Sequence, residues 1–411
     1  MKVLLLKDYF YPEQCAGITL SLDLLDSLAD SGHEAVVYTP LPSRGMDSLQ
    51  VAEYRKKKME TRCSGKVVVH RYWLPREGSS VVGRALRYFL QNAIQVIKAF
   101  RADYDLLFIG STPPTMGLVG AICKKLSGRP MVFNVQDVFP DSLVTTGLAK
   151  DDGIAWKIGT WVSKVGYNNA DKIVTISEGM KKTLLGKGVD SSKVAVIPNW
   201  VDTDIVGRVE RDDNYLFDEL RLSRSGFYVT YAGNIGLAQG CNVIIEAAKM
   251  LGSISDITFV VFGGGALASQ FQSAIDDAGL SNIVFTSLRP SSEISHVYSM
   301  GDVSLITCKA GVGGSGLPSK TISIMACESM PIACFDEDSQ LSSLIRTESL
   351  GFAVEPENPQ MLASAILEAY SNRKETASRG KKCRRYVLDH YSKESCTASY
   401  VRLFEEITES R

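Results

Sequence analysis

The sequence has no pair of cysteines at C-x-x-C spacing; its nine cysteines are scattered. An odd count without close pairing argues against a disulfide framework and for reduced thiols in a cytosolic setting. Histidine is scarce, with four widely separated copies and no H-E-x-x-H arrangement, so no metal site is expected. Net charge is nearly absent, at −1, which removes any global argument for a nucleic-acid partner. Long hydrophobic runs are also missing. The apolar stretch 106–123 is interrupted by Ser111, Thr112, Pro113 and Pro114, which argues against a transmembrane helix. The apolar start at 3–6 meets Lys7 and Asp8 too soon to act as the core of a signal peptide. No G-x-G-x-x-G fingerprint is present either.

What the chain does have is a repeated strand–helix rhythm. Its 411 residues are enough for two or three domains at roughly 150 residues each. Runs at 3–7 and 34–39 read as strands and 18–31 as the helix between them. Such a βαβ unit implies a parallel sheet with a right-handed crossover. Ligands of these sheets gather at the carboxyl ends of the strands, so 11–17, with Gly17, lies on the functional rim. Further strands are predicted at 67–71, 105–109, 130–135, 171–177 and 194–198, with helices at 116–126 and 154–168. Most of 44–76 reads as irregular and basic. From Tyr228 the rhythm restarts, with strands at 228–232, 257–262, 283–286, 303–307, 331–335 and 352–354. Helices are predicted at 242–251, 267–278, 293–300, 359–371 and 393–406. The fold class is α/β, with a crossing between two similar halves near 199–204.

Residues 81–101 read as a strongly amphipathic helix. Val82, Leu86, Phe89, Ala93, Ile97 and Phe100 form one face, and Arg84, Arg87, Gln91, Gln95 and Lys98 the other. The apolar face is expected to pack on the core. The alternative is that this cationic helix, with the basic run Arg55 to Lys58, touches an anionic membrane surface.

The chemistry concentrates in the stretch KAGVGGSGLPSKTISIM, Lys309 onward, where four glycines fall within six residues, ahead of Pro318 and a helical pattern. Glycines let the backbone approach a ligand, and a helix N-terminus favours phosphate. Lys309 and Lys320 add full charges on either side, so a nucleotide diphosphate is expected there, with Gly314, Ser315, Gly316 and Ser319 in contact. The turns Gly233, Asn234, Gly236 and Gly263, Gly264, Gly265 end neighbouring strands and could turn N–H groups toward the same phosphate. Asp336, Asp338 and Ser339 are placed for ribose or sugar hydroxyls. Asp137, at the end of a strand in the first half, could take a proton or hold a hydroxyl. The triplet Asp202 to Asp204 reads as part of the crossing and not as a metal site.

These residues together resemble glycosyltransferase family 4, of the GT-B type. The stretches that carry the resemblance are DSLADSGHEAVVYTP, ADKIVTISEGMKKTL, VAVIPNWVDTD, VTYAGNIGLAQG, FVVFGGG and PSKTISIMA. QDVFPDSL, GNIGLAQG and FDEDSQL are similar to bacterial O-antigen and capsule transferases that add N-acetylfucosamine-type sugars.

The resemblance implies two Rossmann-like domains with parallel sheets facing a central cleft. The acceptor side is 1–203, completed by a terminal helix at 392–411, and the nucleotide-sugar side is 204–391. It implies retaining transfer from a nucleotide sugar, without metal. A UDP-sugar is the expected donor, and the basic run Arg55 to Lys58 with the helix of Arg84 and Arg87 suggests a lipid-diphosphate-linked saccharide as acceptor, in the cytoplasm or at the inner face of the plasma membrane. Two glutamates common in the family fall at Ser315 and Ser323, and its diphosphate-binding Arg and Lys at Asn234 and Gln239. A histidine often found before the catalytic-region aspartate is Gln136, and a glycine pair in the first loop is Ala16 and Gly17. Lys309 and Lys320 are then the candidates to neutralise the diphosphate. A GT-B epimerase and a non-catalytic nucleotide-sugar-binding subunit are the competing readings.

Overall fold

The computed structural model describes residues 1–13, 17–42, 46, 48–75, 81–140, 153–313 and 317–410. The chain divides into two compact units, Met1–Asn199 together with Cys396–Arg411, and Trp200–Ser395.

The first unit runs β1 (Lys2–Leu6), α1 (Ile18–Asp30), β2 (Glu34–Pro40), α2 (Ser48–Lys56), β3 (Met59–Arg62), β4 (Val67–Tyr72), α3 (Val81–Arg101) and β5 (Leu106–Gly110). It continues through α4 (Met116–Ser127), β6 (Met131–Val135), α5 (Ile154–Asn169), β7 (Lys172–Thr175), α6 (Glu178–Gly186) and β8 (Val194–Val196). The eight strands lie in the order β3-β4-β2-β1-β5-β6-β7-β8, parallel except for β3. Period-two alternation sends β5 both ways. Leu107 and Ile109 enter a core with Ala99 of α3, Met116 and Val119 of α4 and Tyr167 of α5. Phe108 faces the opposite way, against Tyr400 and Phe404. On the first face α3, α4 and α5 lie side by side. The α4–α5 approach depends on glycine: a Cβ on Gly117 would stand 3.0 Å from the Cα of Gly166.

The second unit runs α7 (Leu216–Glu219), β9 (Phe227–Asn234), α8 (Asn242–Met250), β10 (Ile257–Gly264), α9 (Ala268–Asp277), β11 (Ile283–Ser287), α10 (Ile294–Ser299) and β12 (Val303–Thr307). Then come α11 (Ser319–Ala326), β13 (Met330–Cys334), α12 (Gln340–Thr347), β14 (Phe352–Val354), α13 (Pro359–Ser371) and α14 (Arg373–His390). Its six strands, in the order β11-β10-β9-β12-β13-β14, pair in parallel throughout. The last helix, α15 (Lys393–Glu409), starts in the second unit and supplies Tyr400 and Phe404 to the first.

Several readings need correction, and the short helices α6 and α12 were not anticipated at all. Residues 44–76 are not irregular throughout: they hold α2 and the antiparallel edge strand β3, whose alternation was hidden by its charged side chains. Helix α14 was missed because its solvent face is almost continuously charged, leaving only a thin buried line of Thr376, Gly380, Cys383 and Val387. The largest correction is α3, whose faces are inverted. Gln91 and Gln95 are fully buried, while Leu86, Phe89 and Phe100 keep 66, 72 and 64 % of their surface exposed.

The cause of that inversion lies at the end of β1. Gln91 donates from Nε2 to Oδ1 of the buried Asp8, Gln95 Nε2 donates to the Lys7 carbonyl (3.3 Å), and Arg87 Nε donates to the Pro75 carbonyl (3.0 Å). Burial raises the Asp8 pKa and lowers that of Lys7. Buried polar groups need partners, and α3 supplies one to Asp8 Oδ1 and one to the Lys7 carbonyl. Each Leu, Ile or Phe left outside forgoes roughly 1.5–3 kcal/mol of burial, a large sum for one helix to give up. Among the described residues no helix is long and apolar enough to cross a membrane, and every cysteine is a free thiol.

Candidate functional site

In the second unit three segments converge at the carboxyl ends of β9 and β12. The backbone N–H of Lys309 donates to the Ala238 carbonyl at 2.9 Å. Gly240, at φ 57°, lets the β9–α8 turn close against the Cys308 carbonyl, which a Cβ would approach to 3.1 Å. Gly233, at φ 152°, leaves space for the side chain of Lys320, whose Nζ would lie 2.7 Å from a Cβ there. Lys320 stands in the first turn of α11, and its ammonium is 4.3 Å from the centroid of the Tyr231 ring. Tyr231 is itself fixed by donating its hydroxyl to the Asn234 carbonyl (2.8 Å).

Burial lowers the Lys320 pKa to about 8. No hydrogen bond or ion pair joins its ammonium to another described residue. A half-shielded cation resting on an aromatic face and lacking a carboxylate partner is a ready receptor for an anion. The N-terminus of α11 adds to it, because Pro318 occupies the cap and no described side chain caps the free amides. Pro318 therefore precedes the helix instead of opening its first turn. Ser319 is exposed beside Lys320, Ser323 is half-buried one turn on, and Lys309 is exposed at the base of the loop.

Asp336 serves the loop. Its Oδ1 accepts the Gly311 N–H (2.9 Å) and its Oδ2 accepts the Gly313 N–H (3.0 Å). Glu357 takes the Ala310 N–H at 3.2 Å. The carboxylate expected at a ribose hydroxyl is thus committed to holding the glycine-rich segment. Ser339 is likewise committed, as the N-cap of α12, accepting the Ser342 N–H at 3.1 Å. Asp338 is exposed.

The second glycine turn also reads differently in three dimensions. Gly263 and Gly264 continue β10 and pair with Gly233 and Asn234 of β9. Gly263 is packed under Phe285 and Ile235, where a Cβ would meet ring carbon at 2.5 Å. Its glycine identity follows from packing, which leaves Gly265 at the strand tip beside the Asn234 amide. Asn234 Nδ2 donates to Gln239 Oε1 (3.0 Å), and Gly236 lies under both side chains. Gly314, Ser315 and Gly316 lie outside the described residues, as does Ala16.

In the first unit Asp137 is exposed just past the carboxyl end of β6. Its neighbour Gln136 is held firmly: the backbone N–H donates to Ser111 Oγ (3.2 Å), Nε2 donates to Asn134 Oδ1 (3.0 Å), and Oε1 accepts from Asn199 Nδ2 (2.9 Å). Gly17 caps α1 in the left-handed conformation, with no described side chain capping that helix. The Asp202 triplet is structural: Asp202 accepts the Asp204 and Ile205 amides and pairs with Lys393 at 2.9 Å. Sequence reasoning missed Tyr231 and Glu357. Tyr231 looked like one more apolar strand residue, and Glu357 like an ordinary turn position.

Residues 19–205 match the model for Glycosyltransferase Family 4, and residues 213–386 match that for Glycosyl transferases group 1. The chain belongs to glycosyltransferase family 4. This glycosyltransferase is 28% identical over 377 residues to WcaI of Escherichia coli K12, named for a glycosyl transferase of colanic acid biosynthesis. The match spans 90% of this chain and 92% of that one. It is 22% identical to an O-antigen chain mannosyltransferase C of Escherichia coli across the full length of both chains. Among solved structures it is similar to Anabaena HepE in complex with UDP, at 17% identity and a TM-score of 0.70, covering 99% of this chain and 100% of that one. The fold of the glycosyltransferase is therefore GT-B.

Proposed function

We propose that this glycosyltransferase moves a sugar, N-acetylated or deoxy, from a UDP-sugar to a lipid-diphosphate-linked saccharide, with retention at the anomeric carbon. We assign it to assembly of a bacterial surface polysaccharide. The observation that carries the reading is Lys320, a cation without a described partner, set against Gly233 and the Tyr231 ring beside an uncapped helix start. As the bond from the anomeric carbon to the diphosphate breaks, negative charge grows on the leaving oxygens. Lys320, Lys309 and the α11 amides meet it, and preorganised charges of this kind commonly supply the largest catalytic term. The acceptor oxygen forms the new glycosidic bond. Asp137 orients its hydroxyl or receives its proton. No metal is assigned, since these cations and amides suffice in kind and the first aspartate of each D-x-D triplet, Asp202 and Asp336, has other work.

The relatives support the biosynthetic setting through the processes their names give, colanic acid and O-antigen synthesis. UDP as the nucleotude carrier is supported by HepE, which was solved with UDP and with UDP-glucose. The test is UDP release across a panel of donors, with and without lipid-linked acceptors. Release that depends on an acceptor is expected. Turnover of donor without acceptor would favour the epimerase, and UDP binding with no release from any pair would favour a binding subunit.

A further inference from the structure

We infer that the outer surface of the α3–α4–α5 layer in the first unit docks on an anionic lipid bilayer. The inference deepens the reading above, because a lipid-linked acceptor is presented at a membrane, yet it stands on features of this surface alone.

The first feature is the inverted helix. At 100° per residue Leu86, Phe89, Ala93, Ile97 and Phe100 fall in one narrow stripe along α3, and Leu86, Phe89, Ile97 and Phe100 are exposed. The stripe cannot roll into the core, because on the other side Gln91 and Gln95 are fixed at the end of β1 and Arg87 at the Pro75 carbonyl. The neighbouring helices extend it. Ile122 and Leu126 of α4 and Ile158 and Trp161 of α5 are exposed large apolar side chains at i, i+4 and i, i+3 spacing. A single exposed leucine needs no explanation, but apolar rows on three adjacent helices do.

The second feature is charge. The helices α3, α4 and α5 carry eight lysines and arginines and no aspartate or glutamate, in a chain whose total charge is −1. Some of these cations are engaged elsewhere: Arg87 is buried, Lys124 pairs with Asp171 at 2.7 Å, and the Lys98 ammonium lies over the Tyr38 ring, 5.9 Å from its centroid. Arg101, Lys125, Lys157 and Lys164 are exposed. On the opposite face the balance reverses. The handedness of the β1–α1–β2 crossover puts α1 there, and Tyr400 and Phe404 put α15 there. Helix α1 carries Asp23, Asp26 and Asp30 with no cation, and α15 has four glutamates against Lys393 and Arg402.

An apolar stripe bordered by exposed cations and free of acids is what an interfacial surface needs. Apolar side chains enter the headgroup boundary while cations meet anionic lipid. A second copy of the chain fits less well. A symmetric contact would set each copy's lysines against the same cationic helices of its partner.

The experiment is co-sedimentation of the full chain with vesicles of phosphatidylglycerol and phosphatidylcholine, or of phosphatidylcholine alone, at low and high salt. Binding is expected on the anionic vesicles at low salt, weakening as salt screens the surface. Phe89→Ser with Phe100→Ser should lower partitioning roughly tenfold or more. Arg101→Gln with Lys125→Gln should lower it by a similar factor at low salt and reduce the salt dependence. Ile205→Ser, an exposed apolar residue of the second unit, should leave it unchanged. All these side chains are exposed, and matching melting temperatures would verify folding. No binding to anionic vesicles at low salt overturns the inference, as does equal binding to neutral ones. A dimer that the phenylalanine substitutions dissociate, without vesicle binding, overturns it in favour of self-association. None of these outcomes depends on sugar transfer, so the donor chemistry stands or falls separately.

Discussion

The two units are built on one plan and use charge in opposite ways. At the strand ends of the second unit a cation, Lys320, is left without a described partner, with an aromatic ring behind it and glycine beside it. At the end of β1 in the first unit the carboxyl group, Asp8, is covered, and Gln91 donates to its Oδ1. There exposed cations lie instead on the outside of the helix layer, among apolar side chains. A doubly wound sheet offers a rim, but whether the rim is chemically open depends on what the helices packed near the strand ends turn toward it. In α11 that is Lys320. In α3 it is a pair of glutamines.

The sharpest way to break this contrast is Lys320→Ala, which should lower turnover by roughly a hundredfold or more, if it behaves like other groups that stabilise developing charge. Wild-type UDP release from that variant would end the assignment. The pH profile sharpens it. With a Lys320 pKa near 8, the cation is present below that value and lost above it. The kcat/KM for donor should therefore fall as pH rises through about 8, while Lys320→Arg, which keeps its charge, should flatten that limb. Stability responds with the opposite sign. A lysine whose pKa is lowered by folding disfavours the fold while charged, and this penalty fades as pH climbs from about 8 toward the unfolded value.

Asp336→Ala should act next most strongly. Two glycine amides would lose their acceptor, and charged hydrogen bonds of this kind are worth about 1.5–3 kcal/mol each. The expected result is a donor KM raised about tenfold, with a smaller change in kcat, measured by initial rates. On the other side of the comparison, Gln91→Leu should cost about 1–3 kcal/mol by leaving Asp8 without its donor, read as a lowered melting temperature. Ser339→Ala removes only a helix cap and should cost about 1 kcal/mol with kinetics unchanged.

Much of the fold was legible because buried parallel strands are short apolar runs, and runs such as 303–307 and 352–354 coincide with β12 and β14. The faces of α3 were not. Periodicity shows that a helix has two faces, but which one turns inward depended on Asp8, remote in sequence and buried only in the fold. The site divided in the same way. Lys320 followed from a glycine-rich loop leading into a helix, and the structure brings it to Gly233 at the end of another strand. Asp336 was visible as a carboxylate after a strand. Its partners are main-chain amides more than twenty positions away, which no spacing rule could supply.

The terminal helix imposes an order of events on synthesis. Phe404 is fully buried against Phe108, yet nearly three hundred positions separate them. The contiguous segment Trp200–Ser395 can close up as it leaves the ribosome, whereas one face of the earlier sheet has to wait. At elongation rates of roughly 5–20 residues per second that interval is about 10–40 s. During it, the nascent chain carries an apolar patch around Phe108 that the terminal helix has yet to cover, and chaperones have their longest opportunity to act on that half of the protein.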